Sequence, residues 1–194
     1  IGLDSVAQDA GTDLSGTFTD DIDGDSRPAG TDWDIGADEK VSELIWDGTG
    51  NWTTAANWNA DSGYPARGDT AYFDGTSSNN CTVDSPLTVA ELELADTYSG
   101  TVTLGANLTV SNNLTIGTAA TVSVGSYRLK LGGNLTLTGG AALQGAGSTT
   151  LFSADDHDNT LSGGTIDDSV SFETSSSATW TLLGDLMIVG DLTV

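Results

Sequence analysis

The sequence predicts an all-β fold: a parallel β-helix (β-solenoid) with coils of about 26 residues, an aromatic-rich N-terminal cap and an extended Asp-rich leading segment. Three observations lead to this fold class. From residue 80 onward, short runs alternate apolar and polar residues and are rich in Val, Thr and Leu, which is typical of strands. Gly, Asn or Ser separates these runs, and a similar unit recurs at a nearly constant interval.

Residues 1–40 are predicted to be the extended leading segment, either the end of a preceding β-helix or an arm that wraps a neighbouring subunit. Residues 1–39 hold eleven acidic groups and one Arg. The acids are mostly Asp, which favours turns and caps over helices. The apolar residues between them follow neither a strand nor a helix period, so we do not expect an independent core here.

The overall charge excludes several classes of protein. The chain has 194 residues with 28 acidic and 5 basic side chains, which gives a formal net charge of −23. Binding to nucleic acid needs clustered Lys and Arg, and anionic membrane surfaces repel such a chain. No apolar run is long enough to insert into a membrane.

The same composition bears on location. The single cysteine, Cys81, excludes a disulfide within the chain and suits an extracellular bacterial protein. The sequence does not begin with Met and stops within a strand-like pattern. We therefore expect a piece of a larger secreted polypeptide, located outside the cell or at its surface.

Residues 41–79 are predicted to form a Trp-rich cap. Trp46, Trp52 and Trp58 fall close together among Gly, Asn and Asp. In one interpretation these rings seal the end of an apolar core, where each buried ring contributes roughly 2–3 kcal/mol. In the other interpretation Trp52, Trp58 and Tyr64 form a platform on which a polysaccharide stacks.

Residues 80–194 are predicted to form the solenoid coils. The repeated unit recurs at spacings of about 25 to 27 residues, beginning at Asn80, Asn107, Asn134, Asn159 and Asp185. If each interval is one coil, these side chains stack about 4.8 Å apart and form a hydrogen-bonded ladder. An antiparallel sandwich is the alternative architecture for many short strands, but it does not predict this interval.

A calcium site is predicted in the leading segment. Asp21, Asp23 and Asp25, with Gly24 at the bend, have the spacing of a calcium loop, and Asp32 occupies the twelfth position. Alternate carboxylates on a turning loop can point at one hard cation. The alternative is a solvated turn in which the Asp side chains cap backbone amides.

Two stretches carry a resemblance to known families. The sequence from Asp21 to Gly30, followed by Trp33-Asp-Ile-Gly-Ala-Asp-Glu39, resembles the closing segment of pectate-lyase-like right-handed β-helix domains in large bacterial surface proteins. The sequence Ile45-Trp-Asp-Gly-Thr-Gly-Asn-Trp52, with the Asn-Leu-Thr units after it, looks like autotransporter-associated β-strand repeat proteins. This resemblance implies a secreted adhesin or cell-envelope protein with a junction between two β-helices near residues 39–45, and it implies no catalytic residues.

Candidate catalytic groups are sparse. The only histidine, His157, lies in the acidic stretch Asp155–Asp158, and Arg128 and Lys130 alternate with apolar residues on one predicted strand. A lone His in an acidic loop is usually exposed. In β-helix polysaccharide lyases the basic residue that removes a proton acts beside a bound calcium ion. Residues 97–154 contain no acidic residue, so the coils offer few sites for a pair of catalytic carboxylates.

These patterns together predict a non-catalytic structural or adhesive segment of a secreted bacterial cell-surface, matrix or filament protein. The expected partners are neighbouring β-helix domains or other copies of the chain, stacked head-to-tail. A carbohydrate-binding module that uses the Trp/Tyr cluster is the alternative, and a polysaccharide-processing enzyme is a further one.

Overall fold

A computed structural model describes residues 11–17, 33, 35, 43–59, 63–154, 159–174 and 179–193. The chain forms two compact units, Ile1–Ser42 and Glu43–Val194.

The described part of the first unit contains a short turn and a buried ring. The Ser15 backbone N–H donates to Asp13 Oδ1 at 2.8 Å, which holds the pKa of that carboxyl below its usual value. The Gly11 backbone N–H donates to the carbonyl of Trp33, whose side chain is buried.

The second unit is a parallel β-solenoid, which confirms the fold class expected from the sequence. Among the described residues the only helical element is one 3-10 turn, Ala55–Asn57. All strand pairings there are parallel, and one isolated bridge, between Trp46 and Trp58, is antiparallel. The strands are β1 (Glu43–Ile45), β2 (Gly50–Asn51), β3 (Thr70–Phe73), β4 (Cys81–Val83), β5 (Leu87–Val89), β6 (Glu91–Leu94), β7 (Thr101–Leu104), β8 (Leu108–Val110), β9 (Leu114–Ile116), β10 (Thr121–Gly125), β11 (Leu129–Leu131), β12 (Leu135–Leu137), β13 (Ala142–Ala154), β14 (Asn159–Ser162), β15 (Thr165–Thr174), β16 (Trp180–Leu183), β17 (Met187–Ile188) and β18 (Leu192–Thr193).

The strands line three faces of the solenoid. The first face is a seven-stranded sheet in the order β1-β3-β6-β9-β12-β14-β16. The second face stacks β2, β4, β7, β10, the start of β13, the start of β15 and β17. The third face stacks β5, β8, β11, the end of β13, the end of β15 and β18. Because β13 and β15 run through the corner without a break, the second and third faces are joined in one sheet.

The regular coils have about 21 residues, so the predicted coil length of about 26 is wrong for them. On the first face β6, β9 and β12 are successive neighbours. Asn113 Nδ2 donates to Glu91 Oε1 across 22 residues of sequence, and Asn134 Nδ2 donates to Asn113 Oδ1 across 21 residues. On the second face the Thr101 N–H donates to Asn80 Oδ1, again across 21 residues.

Two coils of the solenoid are longer than the others. Glu43 pairs with Thr70 in one of them, and Leu135 pairs with Leu161 in the other. In the second of these coils the bond from the Thr160 N–H to Asn134 Oδ1 crosses 26 residues of sequence. The first contains the Trp-rich segment, so its extra length forms the cap.

The interval between the repeated units is longer than one coil because similar corner sequences occur on all three faces. A coil of about 21 residues gives each face about seven residues, so an interval of about 27 leads through one whole coil and on to the next face. Asn80 precedes β4 on the second face, Asn107 precedes β8 on the third, and Asn134 precedes β12 on the first. The repeated unit therefore marks the corners between faces, and its interval is not the length of one coil.

Stacked side chains form one continuous apolar core. On the first face Leu92, Leu114, Leu135 and Leu161 lie in register and are all buried. The second and third faces add further buried columns, such as Val102, Val122, Leu143 and Ile166. Because side chains alternate across a strand, the residues between these positions point away from the core.

The coil length can be tested by deletion. Removing residues 112–132, which amount to one regular coil, joins equivalent corner positions and keeps every later strand on its own face. We expect a cooperative fold with a reduced denaturant m-value, because less surface is buried. The longer deletion, of residues 112–137, matches the interval between the repeated units. It also removes β12, so the strands that follow no longer fall on the faces that they occupy in the intact chain. We expect that deletion to abolish cooperative unfolding in circular dichroism, and equal tolerance of both deletions would contradict the shorter coil.

Candidate functional site

Five aromatic rings fill the core of the first coils. Trp58 contacts both Trp46 and Trp52, with ring centroids 5.1 and 4.9 Å apart in edge-to-face arrangements. Phe73 lies 5.6 Å from Trp46 and 5.0 Å from Tyr98. The edge-to-face pairs that Trp58 forms are a favoured arrangement of aromatic rings, and they add to the free energy of burial.

Each indole N–H in this cluster has a backbone partner. Trp46 Nε1 donates to the Asn79 carbonyl at 3.1 Å, and Trp52 Nε1 donates to the Pro65 carbonyl at 2.9 Å. Trp58 Nε1 donates to the carbonyl of Trp52 at 2.7 Å. Because their polar atoms are satisfied internally, the rings lie in the core without an unpaired donor.

This burial rules out the predicted sugar-binding role of two residues. The side chains of Trp52 and Trp58 have 0% exposure, whereas stacking on a sugar needs a ring face open to solvent. Tyr64 retains 37% of its surface and is the one member of the predicted platform with an accessible ring. The structure thus uses the two Trp rings to fill the core, and the prediction that they bind carbohydrate is wrong.

The segment Asn57–Asn59 covers the outer edge of the first coil. Asn59 N–H donates to the Ile45 carbonyl at 2.9 Å, and its Oδ1 accepts from the Ile45 N–H at 3.0 Å. Asp47 N–H donates to the Asn57 carbonyl at 3.1 Å, and Asn57 Nδ2 donates to the Asn51 carbonyl at 2.9 Å. An antiparallel segment thus pairs with an edge that would otherwise offer unpaired groups to another strand.

Polar side chains at the corners connect one coil to the next. Asn80 Oδ1 accepts from Thr101 N–H at 2.9 Å, and Asn107 Oδ1 accepts from Arg128 N–H at 3.0 Å. Each of these amides therefore bonds to the following coil, as a solenoid corner requires.

The corner bonds lie in separate columns, and the five residues of the predicted ladder do not stack on one another. Asn134 stacks instead on Asn113, with its N–H and Nδ2 donating to Asn113 Oδ1 at 3.1 and 3.0 Å. Asn159 is buried, and its Nδ2 donates to the Gly132 carbonyl at 3.4 Å. Asp185 is exposed in the turn before β17. The interval of 21 residues from Asn113 to Asn134 was the signal in the sequence for the correct column.

Two aspartates also link coils. Asp84 Oδ1 accepts from the Thr53 N–H at 3.0 Å, and its Oδ2 accepts from the Thr53 hydroxyl at 2.6 Å. Asp96 Oδ1 accepts from the Thr118 N–H at 2.8 Å and from the Thr138 hydroxyl at 2.8 Å, so one carboxylate spans two further coils. These hydrogen bonds favour the ionised form and hold the pKa of Asp96 below its usual value.

Acidic residues on the first face lie in a different environment. Register places Glu43 and Glu91 in the column of Thr70, and Glu93 beside Tyr72. Partial desolvation and the like charges of Glu43 and Glu91 raise the pKa of Glu93. Desolvation and the nearby carboxylates also raise the pKa of the Tyr72 phenol.

The other residues considered in the sequence form no catalytic site in the part of the chain that the structure describes. Arg128 and Lys130 are both exposed, and Cys81 is buried, which raises the pKa of its thiol well above the usual value and leaves it unreactive. The stretch Asp155–Asp158, with His157, lies outside the described residues.

The predicted calcium ligands also lie outside the part of the chain that the structure describes. These ligands are Asp21, Asp23, Asp25 and Asp32. The described residues hold no group of three or more His, Cys, Asp or Glu arranged around a metal position. Calcium binding in the leading segment therefore stays a prediction.

Comparison with known proteins identifies no relative of this chain. No protein-family model, no curated protein and no solved structure matches this chain. In the described residues no helix has the length and apolar character needed to cross a membrane.

The cap can be tested at Gly48. A Cβ there would lie 2.4 Å from the Asn57 Cα, so alanine must displace the antiparallel segment. We expect Gly48→Ala to lower the free energy of unfolding by about 1–3 kcal/mol, measured by chemical denaturation. Gly63→Ala is the matched control, since a Cβ at that position meets nothing within 4 Å. Equal effects of the two changes would contradict the cap contact.

The two kinds of acidic residue are expected to respond to pH in opposite ways. The stabilisation by Asp96 is present above its ordinary pKa of 3.8 and is lost as pH falls through the lower folded pKa. Asp96→Ala should therefore lower the melting temperature more at pH 7 than at pH 2.5. The cost of ionised Glu93 is present above its raised folded pKa and absent below 4.5, so Glu93→Gln should raise the melting temperature at pH 7 and not at pH 3. If the change in melting temperature depended on pH in the same way for both variants, the environments assigned to Asp96 and Glu93 would be contradicted.

Proposed function

We propose that the chain is a non-catalytic structural segment of a secreted bacterial surface, matrix or filament protein, in which the solenoid serves as a stiff spacer. The observation that carries this proposal is how the polar corner residues are used. Asn80, Asn107, Asn113 and Asp96 direct their side-chain oxygens to the backbone or hydroxyls of the following coils. Side chains engaged in this way hold coils together rather than surround a substrate.

The core supports the same proposal. Apolar columns run from the aromatic cluster near Trp46 to Ile166 and Val170, so bending the solenoid opens a packed interface at every coil. Parallel strands about 4.8 Å apart also keep the length of the body proportional to its number of coils. Length and stiffness are the properties that a spacer needs.

Charge is distributed unevenly along the chain. The wall formed by residues 97–154 has no acidic residue, whereas the leading segment holds eleven. We propose that the acidic segment is the part that binds calcium and adjoins a neighbouring domain, and that the protein is located at the cell surface.

Mechanical unfolding tests the spacer role. When the full chain is stretched along the solenoid axis in a single-molecule force experiment, we expect one cooperative rupture. Asp96→Ala should lower the rupture force, because this carboxylate joins coils. Asp167→Ala, which removes another exposed acid, is the matched control.

Two results would contradict the proposal. One is a rupture force that is the same for Asp96→Ala and for the unchanged chain. The other is turnover of a polysaccharide by the purified chain that a single substitution, such as Arg128→Ala or Lys130→Ala, abolishes. Either result would show that the corners or the exposed basic residues have another use.

A further inference from the structure

The motif Asn-x-Thr, which is the acceptor sequence for N-linked sugars, recurs along the solenoid. Its asparagines are Asn51, Asn80, Asn107, Asn113 and Asn134. A sugar is attached to the carboxamide nitrogen, Nδ2, and the motif also requires the hydroxyl two residues later. The transferring enzyme must therefore reach both groups, and the five motifs differ in whether these groups are free.

The two motifs on the first face have an engaged Nδ2. Asn113 Nδ2 donates to Glu91 Oε1 at 3.0 Å, and Asn134 Nδ2 donates to Asn113 Oδ1 at 3.0 Å. Both side chains are half-buried. They lie within a column of stacked polar residues about 4.8 Å apart, which leaves no room for a sugar between neighbours. These two asparagines are thus held by the fold.

The motif at Asn51 has a free amide but an engaged hydroxyl. The Asn51 side chain is exposed and makes no hydrogen bond to the described residues. The Thr53 hydroxyl donates to Asp84 Oδ2 at 2.6 Å, and the Thr53 N–H donates to Asp84 Oδ1 at 3.0 Å. The hydroxyl that the motif requires is therefore bound to the next coil.

Both groups are free in the motifs of Asn80 and Asn107. Each asparagine is exposed, and its Oδ1 accepts from a backbone N–H of the following coil, at 2.9 and 3.0 Å. This bond fixes the plane of the amide, and Nδ2 makes no hydrogen bond to the described residues. The hydroxyls of Thr82 and Thr109 likewise have no partner there, and both lie on the outward side of their strands.

We propose that Asn80 and Asn107 of the folded solenoid are acceptors for an N-linked sugar. The co-substrate is a sugar activated as a diphosphate ester. A bond forms between Nδ2 and the anomeric carbon, the bond from that carbon to the diphosphate oxygen breaks, Nδ2 gives up one proton, and the diphosphate leaves. Oδ1 takes no part in the transfer, so the corner bond to the next coil remains in the modified chain.

The positions of these two residues define which surfaces carry the sugars. Asn80 precedes β4 on the second face, and Asn107 precedes β8 on the third face. N-linked sugars are bulky and hydrophilic groups that project from a protein surface. Two faces of the solenoid are therefore modified and the first face stays bare. This inference goes beyond the proposed spacer function and does not depend on it.

The test uses the purified, folded chain and a soluble N-glycosyltransferase that recognises Asn-x-Ser/Thr, with UDP-glucose as the sugar donor. Mass spectrometry of peptides measures the occupancy of each asparagine. Synthetic peptides that contain the same motifs are treated in parallel, so that the effect of the fold is the ratio of occupancy in the folded chain to occupancy in the peptide. We expect this ratio to be at least about tenfold higher at Asn80 and Asn107 than at Asn113 and Asn134, whose Nδ2 hydrogen bonds must break.

Variants at Thr109 test the motif without disturbing the corner. Thr109→Val keeps Asn107 and its bond to the next coil but removes the hydroxyl, so modification of Asn107 is expected to be lost while Asn80 is still modified. Thr109→Ser is expected to retain it. Thr88→Val is the matched control, because Thr88 lies beside Thr109 in the same column and belongs to no motif. Circular dichroism checks that each variant is folded.

Two results would overturn the proposal. One is equal ratios at all five motifs, which would show that the fold does not select among them. The other is a folded chain that remains unmodified at Asn80 and Asn107 although the corresponding peptides are modified. Neither result depends on rupture force or polysaccharide turnover, so failure of this inference is distinct from failure of the proposed function.

Discussion

Axial stacking of coils is the constraint on which the rest of this structure depends. A single coil has too little apolar surface to fold by itself, so each one is stabilised by the coil before it and the coil after it. The spacing of about 4.8 Å between parallel strands places like residues directly above one another. Leucine above leucine, as at Leu92, Leu114 and Leu135, is favourable, whereas stacked charges repel. This accounts for the absence of acidic side chains from residues 97–154 in a chain with a net charge of −23.

Corners solve a second problem that stacking creates. A turn between two faces leaves backbone groups that no strand pairing satisfies, and in a narrow core these groups need side-chain partners. Asn80, Asn107 and Asn134 meet this need on three different faces, each by accepting from a backbone N–H of the next coil. Asp96 does the same with a charge, which makes its contribution dependent on pH. The corners are therefore both structural joints and the places where polar residues recur.

The two ends of the described solenoid differ in what covers the core and the strand edges. At the first coil, Trp46, Trp52 and Trp58 fill the end of the core, and Asn57–Asn59 pair with the outer strand edge. At the last coil, strand edges and leucines lie open in the described residues. An aromatic cluster is suited to the closed end because large rings bury much surface with few residues, and their N–H groups reach nearby carbonyls.

The sequence by itself determined the fold class, because alternation of apolar and polar residues and Gly/Asn turns are local properties of each strand. It also located the Trp-rich segment and the residues that occupy corners. Only the tertiary structure decided which corners lie above one another, since coil length depends on the number of faces and not on the interval between similar motifs. Asn80 and Asn107 look like successive steps of one ladder in the sequence, yet they lie on different faces. Likewise Trp52 and Trp58 have the composition of a binding platform, and packing against Trp46 and Phe73 makes them buried core residues instead.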